Sequence, residues 1–533
     1  MTDAERPAAA TGTSPIELEL FSHRFASIVR DMGEVLRRTA LSVNVKERLD
    51  FSCALLDSAG YLVVNAPHIP VHLGAIGLCV RGVAKRCDVA PGDVLVTNHP
   101  AVGGSHLPDV TVITPVFALR EQKEPLAWVA SRAHHAEIGG SRPGSMPPDA
   151  RTLGEEGVVL PPHHLVRRGE ARWEAMRERL SSGRFPSRAV EENLADLAAA
   201  VAANHRGATA LSRLVGEHGA KTVQSFMTAL REHAAQQIRG VFASWKDGRR
   251  AAEQRLDDGS VLRVSFEISG DRARVDFTGS SAVHPGNLNA TPAIVTSPVL
   301  YVLRLLVEQP IPLNEGLLDP VELVIPEGIL NPPFPGDPFA APAVVGGNVE
   351  TSQRLVDTLL QALGVVACSQ GTMNNVLFGN QRFSYYETVC GGCGAGPGFD
   401  GASGVHSHMT NTAMTDPEVL EYRYPVRLDT FRLRAGSGGA GRWRGGDGVV
   451  RELTFLEPVA LSVVSQHRKV APYGVAGGSD GRPGRQWVER VGGRREQLEP
   501  IDGRELEAGD RLVLETPGGG GWGDRPAARE KAS

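Results

Sequence analysis

Apolar side chains recur every three or four residues near the start of the chain. They are Phe21, Phe25, Ile28, Met32 and Val35. This spacing places them on one face of an amphipathic helix. The preceding stretch, Ser14 to Glu17, is typical of a helix start, because serine can cap the first turn, proline fits the first helical position and the glutamate completes a capping box. We therefore expect a helix from Ser14 to about Thr39.

From residue 50 onward the apolar positions come in short runs separated by turn residues, which is the pattern of strands. In the first third of the chain we expect strands at residues 51–56, 61–64, 93–97, 110–117 and 126–133. The last two runs are close enough along the chain to pair as a hairpin. Residues 139–165 are rich in proline and glycine and predict an irregular loop, and a loop of this length in a compact protein is usually functional.

The pattern then becomes helical in the middle of the chain and strand-like again towards its end. Residues 187–245 predict a helical hairpin, and 262–268 with 272–277 predict a β-hairpin. Two further helices are expected at 298–307 and 351–363. The glycine-rich C-terminal region predicts strands at 426–435, 448–455, 460–465 and 511–515.

These elements predict an α+β fold with several lobes and a large β content. The chain has 533 residues, which is more than one ordinary hydrophobic core. We expect a first lobe at 1–185 that carries the candidate chemistry, a helical and mixed lobe at 186–365, and a glycine-rich, mainly β lobe at 366–533.

Composition excludes several classes of protein. Hydrophobic residues make up 41% and charged residues 22%, as in ordinary globular proteins, and the net charge of -5 does not suit a nucleic-acid binder. No run of 18 or more apolar residues predicts a membrane span, and the first residues do not resemble a secretory signal. Six cysteines are too few for a disulfide framework, so we expect a reducing cytoplasm.

The strongest candidate for chemistry is the stretch from Gly103 to Asp109, Gly-Gly-Ser-His-Leu-Pro-Asp. Its His106 and Asp109 lie on a turn that leads into the run 110–117, because the glycines and the proline exclude a regular helix. A neutral imidazole and a carboxylate aimed at one point are ligands for a divalent metal such as Zn²⁺ or Mn²⁺.

His134 and His135 end the next expected strand. If the runs 110–117 and 126–133 form a hairpin, this pair lies at the same end as His106 and Asp109. Adjacent side chains of a strand point to opposite faces, so only one of the two histidines can join a metal site. The residues alone do not decide which one.

Other residues near these histidines could support the site. They are Asp50, His68, His72, Glu137, Glu155 and Glu156. Two prolines place His68 and His72 in a loop, where they either make local hydrogen bonds or face the substrate or the metal ligands. Asp50 is either a cap, an ion-pair partner or a ligand. The three glutamates are possible general bases.

Two glycine-containing patterns resemble known binding motifs but lack the features that those motifs require. Cys390-Gly391-Gly392-Cys393 is a single CxxC without a second pair, which favours neither a zinc site nor a redox site, and its role stays open. The glycine runs at 391–396, 436–441 and 518–521 do not match the G-x-x-x-x-G-K-[ST] phosphate loop. We expect them to form turns and close backbone contacts.

Eleven stretches, in order along the chain, carry a resemblance to a known family. They are ERLDFSCA (47–54), PHIPVHLG (67–74), GGSHLPD (103–109), RAHHAEIGG (132–140), PGSMP (143–147), EEG (155–157), GNVETSQR (347–354), GTMNN (371–375), YET (386–388), RGGDG (444–448) and PGGGG (517–521). In these stretches the chain resembles the B subunit of the hydantoinase/oxoprolinase family. It departs from the family at Asn98-His99-Pro100, where Asn-Asp-Pro is usual, and His99 would either influence substrate choice or point to solvent.

The resemblance implies a function and a set of ligands. Family members are ATP-dependent hydantoinases, lactamases, 5-oxoprolinases and ketone carboxylases, in which an A-type ATP-binding subunit phosphorylates the substrate carbonyl and the B part acts at a metal site. The implied ligands are Asp50, His106, Asp109 and His134, with His135 facing the substrate.

The chain is therefore expected to be the hydrolytic subunit of a hetero-oligomeric, ATP-dependent cyclic-amide hydrolase, with ATP bound by the partner and His135 or Glu137 accepting a proton. The alternatives are a subunit of an acetone-type carboxylase, or a non-catalytic scaffold that holds a structural metal.

Overall fold

The structure is a computed structural model that describes residues 14–66, 69–119 and 121–524. That part of the chain contains ten α-helices. They are α1 (Pro15–Thr39), α2 (Val43–Lys46), α3 (Leu73–Ala84), α4 (Leu153–Glu156), α5 (Trp173–Ser181), α6 (Val190–His218), α7 (Ala220–Ser244), α8 (Pro292–Leu306), α9 (Ser352–Leu363) and α10 (Pro417–Arg423). No helix within it has both the length and the apolar character needed to cross a membrane.

The same residues form twenty β-strands. They are β1 (Phe51–Asp57), β2 (Leu62–Asn65), β3 (Val94–Thr97), β4 (Asp109–Val116), β5 (Ala127–His134), β6 (His163–Arg167), β7 (Glu170–Ala171), β8 (Gly248–Arg255), β9 (Val261–Ser269), β10 (Arg272–Asp276), β11 (Val321–Val324), β12 (Asn375–Gly379), β13 (Ser384–Thr388), β14 (Val426–Leu433), β15 (Val449–Phe455), β16 (Val459–Val464), β17 (Arg485–Glu489), β18 (Arg495–Gln497), β19 (Ile501–Leu506) and β20 (Arg511–Glu515).

The strands form four sheets. The first has seven strands in the order β2-β1-β5-β4-β3-β6-β7, and the second has the order β11-β10-β9-β8. The two C-terminal sheets have the orders β13-β12-β16-β19 and β14-β15-β20-β17-β18. Apart from the parallel pair β10–β11, the pairs within these sheets are antiparallel. The mixed α and β architecture agrees with the predicted fold class.

The seven-stranded sheet is covered on both faces. Along β1, Phe51, Cys53 and Leu55 pack into the hydrophobic cluster that includes α1 and α6. The alternate residues Ala54 and Leu56 pack into the cluster that includes α3. This alternation is the two-residue period of a strand, and it keeps the sheet rigid behind the candidate site.

Most of the expected elements are present. The first helix, the hairpin of β4 and β5, the helical hairpin of α6 and α7 and the four expected C-terminal strands are confirmed. The capping box at the start of α1 is wrong, because the Ser14 side chain makes no cap hydrogen bond with a described residue. The loop expected at 139–165 is only partly irregular, since it contains α4 and the start of β6. The division into lobes at 185 and 365 stays a prediction.

The helix α8 begins six residues before its expected start. Thr291 caps it, since its Oγ1 accepts a hydrogen bond of 3.2 Å from the Ile294 N–H. Pro292 takes the first helical position and Pro298 lies inside the helix. The predicted start at residue 298 is therefore wrong, because Pro298 is accommodated inside a helix that already has a proline at its first position.

The glycine runs of the C-terminal region pack backbone against backbone, as predicted. A Cβ atom on Gly392 would lie 2.0 Å from the Gly446 carbonyl oxygen, and one on Gly519 would lie 1.9 Å from the Cys393 carbonyl oxygen. The Gly519 N–H donates a 2.9 Å hydrogen bond to the Gly446 carbonyl. Any larger side chain would separate these loops.

Candidate metal centre

The hairpin register brings the main candidates together. Asp109, the first residue of β4, lies opposite His134, the last residue of β5. The turn before β4 carries His106, whose carbonyl accepts a 3.1 Å hydrogen bond from the Asp109 N–H. Ligand atoms of His106, Asp109 and His134 lie within 4.8 Å of one another, and they form the one group of this kind among the described residues.

The two carboxylate oxygens of Asp109 have different surroundings. Oδ2 accepts a short hydrogen bond from the Ser105 hydroxyl and lies 3.3 Å from His72 Nε2. His72 Nδ1 is in turn 3.0 Å from Ser52 Oγ. Oδ1 faces the other way, 3.1 Å from His106 Nε2 and 3.5 Å from His134 Nδ1. One oxygen is therefore held by the protein, and the other points between the two imidazoles.

The polar atoms of this cluster fit a divalent cation. Asp109 Oδ1, His106 Nδ1 and His134 Nε2 are buried and have no hydrogen-bond partner among the described residues. Buried polar atoms without a partner are rare in folded proteins, and a bound ion is one explanation of them. Two imidazoles and a carboxylate are also the donor set that zinc and manganese accept.

The surroundings of Asp109 and His134 favour the protonation states in which these two side chains bind a metal. Burial alone would raise the pKa of Asp109, but His106 and His72 beside it hold that pKa well below its usual range. Burial lowers the pKa of His134, and the neighbouring Asp109 and Asp50 carboxylates oppose this effect. A carboxylate and a neutral imidazole are the ligand forms of these side chains.

Asp50 lies next to the cluster without joining it. Its backbone carbonyl accepts a 3.0 Å hydrogen bond from the His134 N–H. Its charge opposes the effect of burial on the pKa of His134. The metal-capable group of the described residues nevertheless contains only the other three side chains.

Two residues that we did not single out contact the cluster directly. Asn348 Nδ2 is 3.1 Å from His106 Nε2. The Tyr386 ring stacks on the His134 ring, with 4.5 Å between centroids, and the Arg48 guanidinium lies 4.7 Å from the centre of the same tyrosine ring. All three lie in family-like stretches, but nothing in their spacing connects them to His106, more than 200 residues from Asn348.

Asn348 belongs to a π-helical turn, Gly347–Thr351, that leads into α9. Such turns are rare and are frequent at functional sites. The backbone passes so close to a neighbouring loop that a Cβ on Gly347 would lie 1.8 Å from the Asn289 carbonyl oxygen. The turn thus fixes Asn348 against the end of the β4–β5 hairpin.

His135 faces a different set of residues from His134. The Ser187 hydroxyl accepts from the Ala189 N–H and donates a 2.6 Å hydrogen bond to Asn193 Oδ1. Asn193 Nδ2 donates a hydrogen bond of 2.6 Å to the Glu137 carbonyl oxygen and lies 3.1 Å from His135 Nδ1. Burial lowers the pKa of His135, so the ring is neutral. Its Nδ1 then accepts from Asn193, and its proton sits on Nε2.

The Glu137 carboxylate is held by four donors. Its Oε1 accepts from the Gly139 N–H (2.6 Å) and Arg188 Nη1 (3.0 Å), and its Oε2 accepts from the Gly144 N–H and the Ser384 hydroxyl (both 3.1 Å). Burial raises the pKa of Glu137, and the Arg188 charge opposes the rise. No hydrogen bond or ion pair of its carboxylate reaches the cluster within the described part of the chain.

The remaining candidates have local contacts. His99 Nδ1 accepts a hydrogen bond of 3.1 Å from the Ala101 N–H, and this bond caps a short 3₁₀ turn. Glu155 Oε2 accepts from the N–H groups of Arg151 and Thr152 and forms a capping box at α4. Glu156 Oε1 accepts from the N–H groups of Val344 and Val345. His68 lies outside the described residues.

The six cysteines are all free, including the pair of the CxxC pattern. Burial raises the pKa of both Cys390 and Cys393 to about 11. The two thiols are therefore protonated near neutral pH, which does not favour metal binding or redox exchange.

Comparison with known proteins identifies the family. A family model described as hydantoinase B/oxoprolinase matches residues 14–525, and the chain belongs to this family. The chain is 45% identical over 537 residues to 5-oxoprolinase 1 of Arabidopsis thaliana, an alignment that covers 95% of this chain and 42% of that protein. It thus spans about two fifths of the length of that protein, and likewise of 5-oxoprolinase from Dictyostelium discoideum.

Two solved structures share the fold. The ATP-dependent caprolactamase from Pseudomonas jessenii superposes with a TM-score of 0.86 at 27% identity, covering 97% of this chain and 93% of that chain. An acetone carboxylase in its nucleotide-free state superposes with a TM-score of 0.83 at 17% identity, covering 96% of this chain and 76% of that chain. At that identity the second likeness shows the fold alone.

Proposed function

We propose that this chain is the metal-bearing, hydrolytic part of an ATP-dependent cyclic-amide hydrolase of the 5-oxoprolinase or hydantoinase type. The observation that carries the proposal is the buried cluster of His106, Asp109 and His134, with acceptor atoms that have no partner within the described part of the chain. Relatives named 5-oxoprolinase at 42–45% identity support the reaction class.

The proposed ligands are Asp50, His106, Asp109 and His134. Asp50 completes the set because its backbone is bonded to that of His134 and its charge acts on the same ring. His72 and Ser105 would orient Asp109 by engaging Oδ2, which leaves Oδ1 for the cation. When bound, a divalent ion such as Zn²⁺ or Mn²⁺ supplies Lewis acidity and lowers the pKa of water.

The contacts of His135 favour a role as hydrogen-bond donor. Because Asn193 occupies Nδ1, the ring has no lone pair left on that side, and its Nε2–H can donate to a substrate oxygen on which negative charge develops. Glu137 remains the proposed proton acceptor of the two, since burial raises its pKa, although four donors compete for its oxygens.

ATP would be bound by an A-type partner, which phosphorylates the amide carbonyl oxygen. The phosphorylated amide is a better electrophile, so water would add to its carbon, and overall the ring C–N bond would break and phosphate would be released. His106, Asp109, His134 and Asp50 would hold the ion that supplies Lewis acidity to this step. The missing phosphate loop and the greater length of the 5-oxoprolinase relatives support a partner that supplies this half of the reaction. This chain covers 93% of the caprolactamase chain, which supports an arrangement in which the ATP-binding part is a separate subunit.

We also propose a cytoplasmic location, and this proposal rests on the amino-acid composition alone.

Two substitutions of adjacent residues test the ligand set. His134→Ala is expected to abolish stoichiometric metal, measured by inductively coupled plasma mass spectrometry on purified protein. His135→Ala is expected to keep the metal and to lose turnover of 5-oxoproline when the A-type partner and ATP are added. Retention of metal and activity by both variants would show that the site is assigned wrongly.

The same reconstituted complex separates the alternatives. A hydrolase forms the ring-opened acid without added bicarbonate, whereas a carboxylase needs a ketone and bicarbonate for ATP turnover. A scaffold with a structural metal would keep full partner activity in His135→Ala. Ring opening in the absence of bicarbonate, lost in His135→Ala, is the expected result.

A further inference from the structure

A second cavity, of about 440 Å³, lies between the two C-terminal sheets. The ends of β13, β14 and β15 and the loops around residues 404–406 and 411–414 form its walls. Its apolar wall residues are Val389, Val405, Met414 and Phe431. The volume is in the range of sites for small organic ligands, about 300–1,000 Å³.

The floor of the cavity is formed by the guanidinium of Arg451, of which one nitrogen, Nη1, has no strong hydrogen-bond acceptor. Arg451 is buried, and its Nε and Nη2 donate to the two oxygens of Glu387 at 2.6 and 2.9 Å. Its Nη1 reaches only the Met414 sulfur, at 3.5 Å. A thioether is a weak acceptor, so Nη1 has no strong hydrogen-bond acceptor, although the Glu387 carboxylate compensates the charge and the Phe431 ring centre lies 5.4 Å from the guanidinium.

A second guanidinium lies behind the cavity wall. Arg48 is fully buried, and its Nη2 donates to the hydroxyls of Thr388 and Thr412, which line the cavity, at 3.2 and 3.1 Å. No carboxylate oxygen of the described residues lies within 4.0 Å of its nitrogens. Arg48 is therefore a second cation beside the cavity, and the Glu387 carboxylate pairs with Arg451.

One ring nitrogen in the cavity wall has no partner among the described residues. His406 Nδ1 is buried and has no hydrogen-bond partner among the described residues. Burial, assisted by the Arg48 charge, lowers the pKa of His406 to about 4, so the ring is neutral near pH 7. The polar lining of this apolar space thus consists of Arg451, the two threonine hydroxyls, Asn411, His406 and Glu387, whose two carboxylate oxygens both accept from Arg451.

We propose that this cavity binds a small organic monocarboxylate with a compact apolar body. Thr388 Oγ1 and Thr412 Oγ1 are 2.7 Å apart, so one of these hydroxyls donates to the other and a single hydroxyl proton is left for a ligand. The ligand carboxylate would accept from Arg451 Nη1 and from that hydroxyl, and its body would contact Val405 and Phe431. The Arg48 guanidinium and the Tyr386 ring separate the cavity from His134, so this ligand does not coordinate the metal. The site is therefore additional to the proposed metal centre and does not depend on it.

Cys390 offers a direct readout, because it lines the cavity and is half-buried. The alkylation rate of each cysteine by N-ethylmaleimide would be followed by peptide mass spectrometry on the full chain. 5-Oxoproline, a cyclic monocarboxylate, is expected to slow alkylation of Cys390 in a saturable way and to leave the half-buried Cys87, outside the cavity, unchanged. 2-Pyrrolidinone, the same ring without the carboxylate, should need about tenfold higher concentration or more.

Variants test the location. Val405→Trp should fill the cavity and abolish protection, while Val491→Trp, the same change at an exposed position elsewhere, should not. Arg451→Lys keeps the positive charge beside Glu387 but removes the planar guanidinium and its free Nη1 donor. This variant should weaken the protection of Cys390 about tenfold. His106→Ala, which affects the metal cluster, should leave protection intact.

Three results would overturn the proposal. They are equal protection by 2-pyrrolidinone, protection that survives in a folded Val405→Trp variant, and protection that disappears in folded His106→Ala. The last would place the ligand at the metal centre. Circular dichroism and the unfolding midpoint of each variant establish whether it is folded.

Discussion

Asp109 shows how one side chain can serve both the protein and a metal. Its Oδ2 is engaged by Ser105 and lies beside His72, while its Oδ1 faces His106 and His134. A carboxylate fixed through one oxygen cannot rotate away from the cluster, which lowers the entropy lost on binding a cation. The residues around Oδ2 should therefore control affinity without being ligands.

His72→Phe tests this control at the scale of one residue. The substitution keeps a ring of similar bulk and removes both nitrogens. We expect the affinity for Zn²⁺, measured by competition with a chromophoric chelator, to fall about 10- to 100-fold. His99→Asn, which preserves the cap of its own turn, is the control and should bind as the wild type does. An unchanged affinity in His72→Phe would show that Asp109 is positioned by other contacts.

Glu156 predicts a dependence of stability on pH. Burial raises the pKa of Glu156 to about 8, so the folded protein holds a proton that the unfolded chain releases near pH 4.5. The contribution of this group to stability is full below the unfolded pKa and is lost as pH rises through the folded pKa. The stability of the wild type should accordingly decrease between these two values.

Glu156→Gln removes this titration and keeps the acceptor for the Val344 and Val345 N–H groups. Relative to the wild type, the variant should have a similar urea midpoint at about pH 5 and a higher one at about pH 9. Glu155→Gln, at the half-buried capping box, is the matched control, and its difference in urea midpoint from the wild type should not grow with pH in this way. A pH-independent difference for Glu156→Gln would contradict the raised pKa.

Among single residues, the sequence allowed a correct prediction for those that lie close together because of one turn or one hairpin. His106, Asp109 and His134 were accessible because one turn and one hairpin define their meeting point. Asn348 and Tyr386 were not, because they arrive from distant segments and their contacts depend on how the lobes pack. The tautomer of His135 likewise depends on Asn193 in α6, which no pattern near residue 135 reveals.

The turn before β4 is the element on which the cluster depends. Gly103 has φ +80°, and a Cβ there would lie 2.4 Å from the backbone nitrogen of Cys79 in α3. The turn is thus pressed against the helix that covers the sheet. Both the backbone conformation and the lack of space require glycine at this position.

Gly103→Ala and Gly169→Ala separate these two requirements. Gly169 also has positive φ, +88°, but a Cβ there would meet nothing within 4 Å. We expect Gly169→Ala to destabilise by about 1 kcal/mol, and Gly103→Ala by a further 1–3 kcal/mol or so, because the backbone must move. Urea unfolding measures both. Equal losses would indicate that the contact with α3 relaxes freely.

Elements with strong periodicity were predicted well, and those governed by packing were not. α1 and the β4–β5 hairpin follow from amphipathic and alternating patterns. The π-helical turn at Gly347–Thr351 has no such signal, since its backbone is set by close contact with Asn289. The early start of α8 was missed because Pro298 is tolerated inside a buried helix.

At the scale of the whole molecule, the sequence predicted the kind of architecture but not how its parts cooperate. The cluster draws His106 and Asp109 from the turn and β4, His134 from β5, and Asn348 from the segment that leads into α9. A cation at this point would link the seven-stranded sheet to a segment more than 200 residues away. Binding should therefore stabilise the entire fold, not one loop.

Removal of the metal tests this linkage. A ligand that binds only the folded state at a thousandfold excess over its Kd stabilises it by about 4 kcal/mol. We expect a strong chelator to lower the thermal midpoint of the metal-loaded wild type, and re-addition of Zn²⁺ or Mn²⁺ to restore it.

Asp109→Asn removes the carboxylate at the centre of the cluster, so the thermal midpoint of this variant should already be lowered and should not respond to chelator. Gly169→Ala, remote from the cluster, should respond as the wild type does. A chelator effect of the same size in Asp109→Asn would mean that the stabilising ion binds elsewhere in the molecule.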